Sequence, residues 1–327
     1  MRLLRVEVRR LLARRLLAVL GAVFVAGLAY GAVNTALHSS RDLAGARAEA
    51  ERQVAQFAGQ EAAQRQKCES EKAAGRVPAD VECAPEMRGG PTAADFFHDP
   101  RYDFAGSTSG PVHGAIVGAG LLGVVLGASA IGAEWSAGTF AGLLTWEPRR
   151  LRVLAAKLLA LVVVVVTIAV AAVAVQLLVY WAIAATRGTL AGTTSRVVAE
   201  LVWRGARGVG LVGLLTVAAA ATAGIVRSTA GALGAAAGYM VIFETLSRNL
   251  RPGWARWLLS SNAGALVTGK ISIYPPTPSV IYGSPGGSFT GPRPFILHAS
   301  RAALVLSLGT AALVALWALL LRRRDVT

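Results

Sequence analysis

Few residues in this 327-residue chain have the types and spacing that chemistry needs. Gly264-Ala265-Leu266-Val267-Thr268-Gly269-Lys270 comes nearest to a phosphate cradle of the form G-x-x-x-x-G-K-[ST], in which backbone amides wrap the phosphates and the last hydroxyl holds magnesium. Residue 271 is Ile, so that hydroxyl is missing, and no strong strand precedes the run. The four histidines, His38, His98, His113 and His298, are scattered and make no His-Glu-x-x-His zinc pattern. His98 with Asp95 and Asp99 reads as solvated surface. No serine or cysteine has a base and an orienting group placed beside it by any recognisable pattern. The chain therefore offers no catalytic residue, no cofactor-binding residue and no metal ligand to nominate.

The elements around these residues explain why. Residues of the AVILMFWYC set make up 54% of the chain and charged residues only 16%, with a mean hydropathy of +0.53. Soluble domains carry about 25% charged residues. A bilayer core about 30 Å thick needs roughly 20 helical residues, and the uncharged runs have that length. They do not alternate as barrel strands do. The expected fold is an all-α integral membrane protein: six transmembrane helices with an inserted extracytoplasmic helical loop domain. The spans are placed at 16–37, 111–133, 157–186, 208–226, 229–247 and 302–321. The fifth is the shortest apolar run and contains Gly231, Gly234 and Gly238, which permit close helix packing. The apolar core of the first span is longer than the 7 to 15 residues or so of a signal peptide, so an uncleaved helix is expected.

The formal charge is +15. Nucleic acid is excluded as its target, because the basic residues cluster at the ends of apolar runs and no aromatic-interleaved basic surface accompanies them. Six crossings put both termini on one side. With the termini inside, Lys and Arg make up about 30% of the inside segments (1–15, 134–157, 227 and 322–327) and about 13% of the outside ones, as the positive-inside rule requires. The outside regions are 38–110, 187–207 and 248–301. Residues 41–71 are rich in good helix formers. Trp254, Trp257 and Leu258 suit an interfacial or re-entrant helix within 254–266. Cys68 and Cys83, the only two cysteines, stand in the first outside loop, where a disulfide is favoured. A metal pair is the weaker alternative, since partner ligands are missing. Closing a loop of that size is worth roughly 3 kcal/mol. Glu244 lies near the outer edge of the fifth span, and anchoring or an Arg pairing accounts for it as well as function does.

The informative stretch runs from Ile131 to Lys157, on the cytoplasmic side by this topology. Trp135, Thr139, Leu143 and Trp146 recur at three- or four-residue steps, which predicts an amphipathic helix. Glu147-Pro148 breaks it, and Arg149-Arg150 opens the next helix. On these residues alone, a docking helix for a partner and a plain interfacial hairpin fit equally well.

The stretch resembles the signature of type-2 ABC exporter permeases: an acidic residue (Glu134, followed here by Trp135), Gly-Thr (Gly138-Thr139), Leu-Leu (Leu143-Leu144), Pro with Arg (Pro148, Arg149, Arg150) and a Lys entering the next span (Lys157). The six-span layout and the polar tail resemble that family too. Two features depart from it: Glu147 stands where a small or apolar residue is usual, and the 41–103 loop is long. The resemblance implies a permease subunit of an ATP-driven exporter, itself not an enzyme, in a bacterial cell membrane. It implies a cytosolic ABC ATPase dimer that carries ATP and Mg, a second permease chain (homo- or heterodimer), and coupling through 134–148. The competing reading is a non-enzymatic membrane sensor or assembly component that uses the 41–103 loop.

Overall fold

The computed structural model describes residues 2–78, 83, 90–139, 142, 149–250, 252–274 and 294–323. Six of its helices are long and apolar enough to cross a bilayer: Arg15–His38, Phe104–Ser136, Leu151–Arg187, Ser195–Val226, Thr229–Leu250 and Ala299–Arg323. The all-α membrane class expected from the sequence is the class observed. The third span shows which force decides. Its run Leu161–Val166 is mostly β-branched, which lowers helix propensity. Without water in lipid, the backbone must satisfy its own hydrogen bonds, and the helix is continuous. The fourth helix starts at Ser195 rather than at the apolar run near Gly208. Thr194 Oγ1 accepts from the Val197 amide at 3.3 Å, a helix cap. Glu200 and Arg204 then pair at 3.3 Å one turn apart.

The chain divides into two compact units. The larger comprises Met1–Ala32, Ala105–Tyr180 and Thr193–Thr327. Its centre is the second span, buried over 67% of its apolar window against 11% for the first and fifth. The second and fourth spans touch backbone to backbone. A Cβ on Gly127 would run into the Thr216 carbonyl, and one on Gly224 would enter the ring of the fully buried Trp317 on the sixth span. Small residues at such crossings let helices gain packing contacts that lipid cannot supply.

The fifth span contains a π-helical turn, Tyr239–Glu244. Beyond it, a 3-10 helix Pro252–Trp257 leads to a helix Leu259–Thr268. The first amides of that helix would be orphans. Tyr239 Oη accepts from Leu259 N at 3.2 Å, and the buried Glu244 carboxylate accepts from Ser260 N at 2.8 Å and from the Ser260 hydroxyl. Gly269, at φ 97°, ends the helix. Strand Lys270–Ile273 then pairs antiparallel with Phe295–His298. The near-match to a phosphate cradle is thus a helix followed by a strand, the reverse of the strand–loop–helix order that cradle needs.

The smaller unit comprises Val33–Phe104 and Trp181–Gly192. Asp42 caps its long helix, Leu43–Ala73, by accepting from Gly45 N at 2.8 Å. Phe57 meets Phe96 with ring centroids 6.3 Å apart. Cys68 and Cys83 are disulfide-bonded. Arg101 beside Asp99 holds that carboxyl down at about 2, and the Thr92 amide and hydroxyl lower Asp95.

Candidate functional site

The site begins with a helix that the sequence does not announce. Arg2–Leu12 (α1) turns Glu7 and Leu11 inward and leaves Arg5, Arg9 and Arg10 exposed. It ends at Leu12, and Arg15 opens the first span. A carboxylate on the inward face of a short amphipathic helix must find a buried cation.

That cation is Lys157, whose side chain is 3% exposed. Its Nζ lies 3.0 Å from Glu7 Oε1 and 2.7 Å from Glu134 Oε2. Arg14 completes the set, with Nη2 at 3.4 Å from Glu134 Oε1. Arg14 also donates to the carbonyls of Ser129 and Ala130 at 3.3 and 3.4 Å. Lys157 and Arg14 offset the two carboxylates, and the exposed Arg10 adds a third cation 3.7 Å from Glu7, so the buried negative charge is compensated. The gap among Glu7, Arg14, Glu134 and Lys157 is about 10 Å³, at the lower limit for one water. The charges therefore satisfy one another. An open cleft of about 480 Å³ lies alongside, with Arg10, Arg14, Arg15, Glu134 and Thr139 on its walls.

Glu134 and Trp135 belong to the last turn of the second helix, Ser109–Ser136. Gly138 stops it: φ is +70°, and its amide donates to Trp135 O at 3.1 Å, an ending that glycine makes at little steric cost. The Thr139 hydroxyl donates to the Glu134 carbonyl at 3.2 Å. The Gly-Thr pair is thus the stop signal that fixes where the following segment departs. Lys157 lies within the third helix, which opens at Arg150. Arg149 is exposed, and its carbonyl accepts from Arg152 N at 2.8 Å.

Arg227 joins the cluster from another loop. It occupies the tight turn between the fourth and fifth spans at φ 58°, a left-handed conformation unusual for a residue other than glycine. Its guanidinium sits 4.5 Å from the centroid of the Trp135 ring. One end of the larger unit therefore gathers the start of the first span, the end of the second, the start of the third and the turn between the fourth and fifth.

A family profile described as ABC-2 family transporter protein matches residues 1–326. The chain belongs to this family. It is a multi-pass membrane permease subunit of an ABC transporter, not itself catalytic, and the family generally works with an ABC ATPase partner. No curated protein and no solved structure matches the chain.

In this permease, the expected coupling residues divide by position. Glu134 and Lys157 meet directly, Trp135 meets Arg227, and Gly138 and Thr139 cap the helix end between them. Leu143, Leu144 and Pro148 lie outside the described residues, as does the side chain of Arg150. Glu7, Arg14 and Arg227 were not nominated from the sequence. A lone Glu among the six basic residues of 1–15 is the signal for the first of them.

Proposed function

We propose that this permease is one membrane half of an exporter in a bacterial cell membrane. It pairs with a second permease chain, identical or not, above a cytosolic ABC ATPase dimer that binds ATP and Mg. Its termini and the stretch 134–157 face the cytoplasm, as the excess of Lys and Arg on that side supports. The ATPase engages the segment 134–148, and closure of the nucleotide sites displaces it. The Glu134–Lys157 ion pair carries the reading: a push on the linker reaches the second and third spans together. Glu7 passes it to α1, and Trp135 passes it to the Arg227 turn. Arg149 and Arg150 lie at the foot of the third helix, where an acidic ATPase surface would reach them. Coupling of this kind needs two states with different contacts at both sites, and this charge set has contacts to exchange.

The test is affinity purification of the full-length chain in mild detergent with the co-expressed ATPase, followed by ATP hydrolysis in proteoliposomes. Co-purification with hydrolysis that responds to the permease is the expected result. Glu134→Ala and Arg149→Ala lower that response while membrane insertion is kept. An unchanged response in both variants removes the coupling roles. Transport that survives ATP depletion but fails without an ion gradient removes the exporter reading.

A further inference from the structure

The opposite side of the larger unit holds a second basic cluster, which the coupling reading does not use. Arg301, in the first turn of the last span, lies 5.1 Å from the centroid of the Trp257 ring and 5.2 Å from that of Phe295. Arg256 faces the same two rings at 5.9 and 6.0 Å. Its backbone is held in place, because the fully buried Asn262 donates to the Arg256 carbonyl at 3.1 Å. Two guanidiniums thus share two aromatic rings.

Ring contacts occupy the face of a guanidinium and leave its five in-plane N–H donors open. Among the described residues, neither Arg256 nor Arg301 makes an ion pair or a side-chain hydrogen bond. The surrounding sequence supplies no carboxylate either, since no Asp or Glu occurs between residues 245 and 324. Like charges held together without a counter-charge repel, so the arrangement favours an anion. Arg offers the bidentate geometry that a phosphate takes.

Position identifies the source of that phosphate. Trp254 and Trp257 are 51% and 54% exposed, as expected of indoles in the headgroup belt. A free phosphate gains nothing from an exposed indole, whereas a phospholipid places its ester and first methylenes there. A zwitterionic headgroup brings its own ammonium and leaves both site charges uncompensated, whereas an anionic one offsets one of them.

We propose that Arg256 and Arg301, held over Trp257 and Phe295, bind the phosphate of an anionic phospholipid in the leaflet that meets the start of the last span. The test uses the full-length protein in phosphatidylcholine nanodiscs doped with a phosphatidylglycerol analogue carrying a photoreactive headgroup. Adducts are mapped by peptide mass spectrometry. Labelling is expected within 252–257 and 295–301. Phosphatidylglycerol competes, while phosphatidylcholine and 50 mM inorganic phosphate, roughly physiological in charge screening, do not. Arg256→Gln/Arg301→Gln lowers labelling about a hundredfold, roughly tenfold for each of the two charge-assisted contacts removed, and Arg256→Lys/Arg301→Lys keeps about half of it. Equal labelling in the Gln variant overturns the proposal, and so does equal competition by phosphatidylcholine. Competition by inorganic phosphate alone replaces the lipid with a soluble anion. If the Gln variant fails to fold, the competition measured on the unmodified protein still decides.

Discussion

Lys157 lies 2.7 Å from Glu134, so the residue ending one span and a residue opening the next are tied by a buried ion pair across the linker between them. The two described ends of the linker are therefore held together. Ends tied in this way turn a displacement of the linker into movement of two spans, whereas free ends would let the linker swing alone. Glu7 and Arg14 extend the tie to the two elements that begin the chain.

Removing one partner of a buried pair leaves the other charge unpaired, which typically costs about 3–5 kcal/mol. Lys157→Met is expected to be the most destabilising single change in the cluster, because it removes the one cation that Glu7 and Glu134 share and leaves them only the longer contacts to Arg10 and Arg14. Glu7→Gln in the Lys157→Met background restores part of the loss. Thermal unfolding in detergent of the two single variants and the double gives the coupling, expected at about 1–3 kcal/mol. Strict additivity sinks the direct pairing.

Much of this was legible in the sequence. The spans come from hydropathy alone, since lipid leaves the backbone one helical solution. The resemblance to the permease signature points to Glu134 and Lys157, but nothing in the sequence points to their contact, because 23 positions separate them and pairing across a linker has no local signal. In the sequence, the helix Arg2–Leu12 looks like a plain basic segment: its charges mask an inward face of Leu4, Glu7, Val8 and Leu11 that tertiary packing selects. The polar start of the fourth helix was hidden for a similar reason. Hydropathy marks where lipid begins, while the helix continues past it on capping and ion pairs.

Arg227 sets a backbone cost against a ring contact. Glycine at φ 58° relieves strain of about 1 kcal/mol, and loss of the cation over Trp135 forfeits about 0.5–2 kcal/mol. Arg227→Gly is expected to leave the melting temperature within a few degrees of the parent while ATPase stimulation falls. Arg227→Lys keeps most of the stimulation. A variant that keeps full stimulation without the guanidinium assigns Arg227 to the turn alone.

The Cys68–Cys83 bond closes a loop of 15 residues in sequence separation, a size for which chain entropy gives about 3 kcal/mol. Cys68→Ser/Cys83→Ser is expected to raise tryptic cutting at Arg65, Lys67 and Lys72 by about a hundredfold at limiting protease, since cutting then follows the open fraction. ATPase stimulation is expected to stay as it was. Equal cutting rates would mean that the bond constrains nothing in the smaller unit.

Gly127 sits where the second and fourth spans come closest, and a methyl there meets the Thr216 backbone rather than a side chain that could rotate away. Overpacking of that kind costs about 1–3 kcal/mol. Gly127→Ala is expected to lower the melting temperature, whereas Gly114→Ala on the same helix, where the added carbon meets nothing, is expected to leave it unchanged. Because Gly127 and Glu134 share one helix, separating the spans also tilts the charge cluster, so Gly127→Ala should weaken ATPase stimulation beyond its effect on stability. Restoring the melting temperature with a stabilising lipid, without restoring stimulation, is the outcome that ties span packing to coupling. Recovery of both together would show that the glycine serves stability alone.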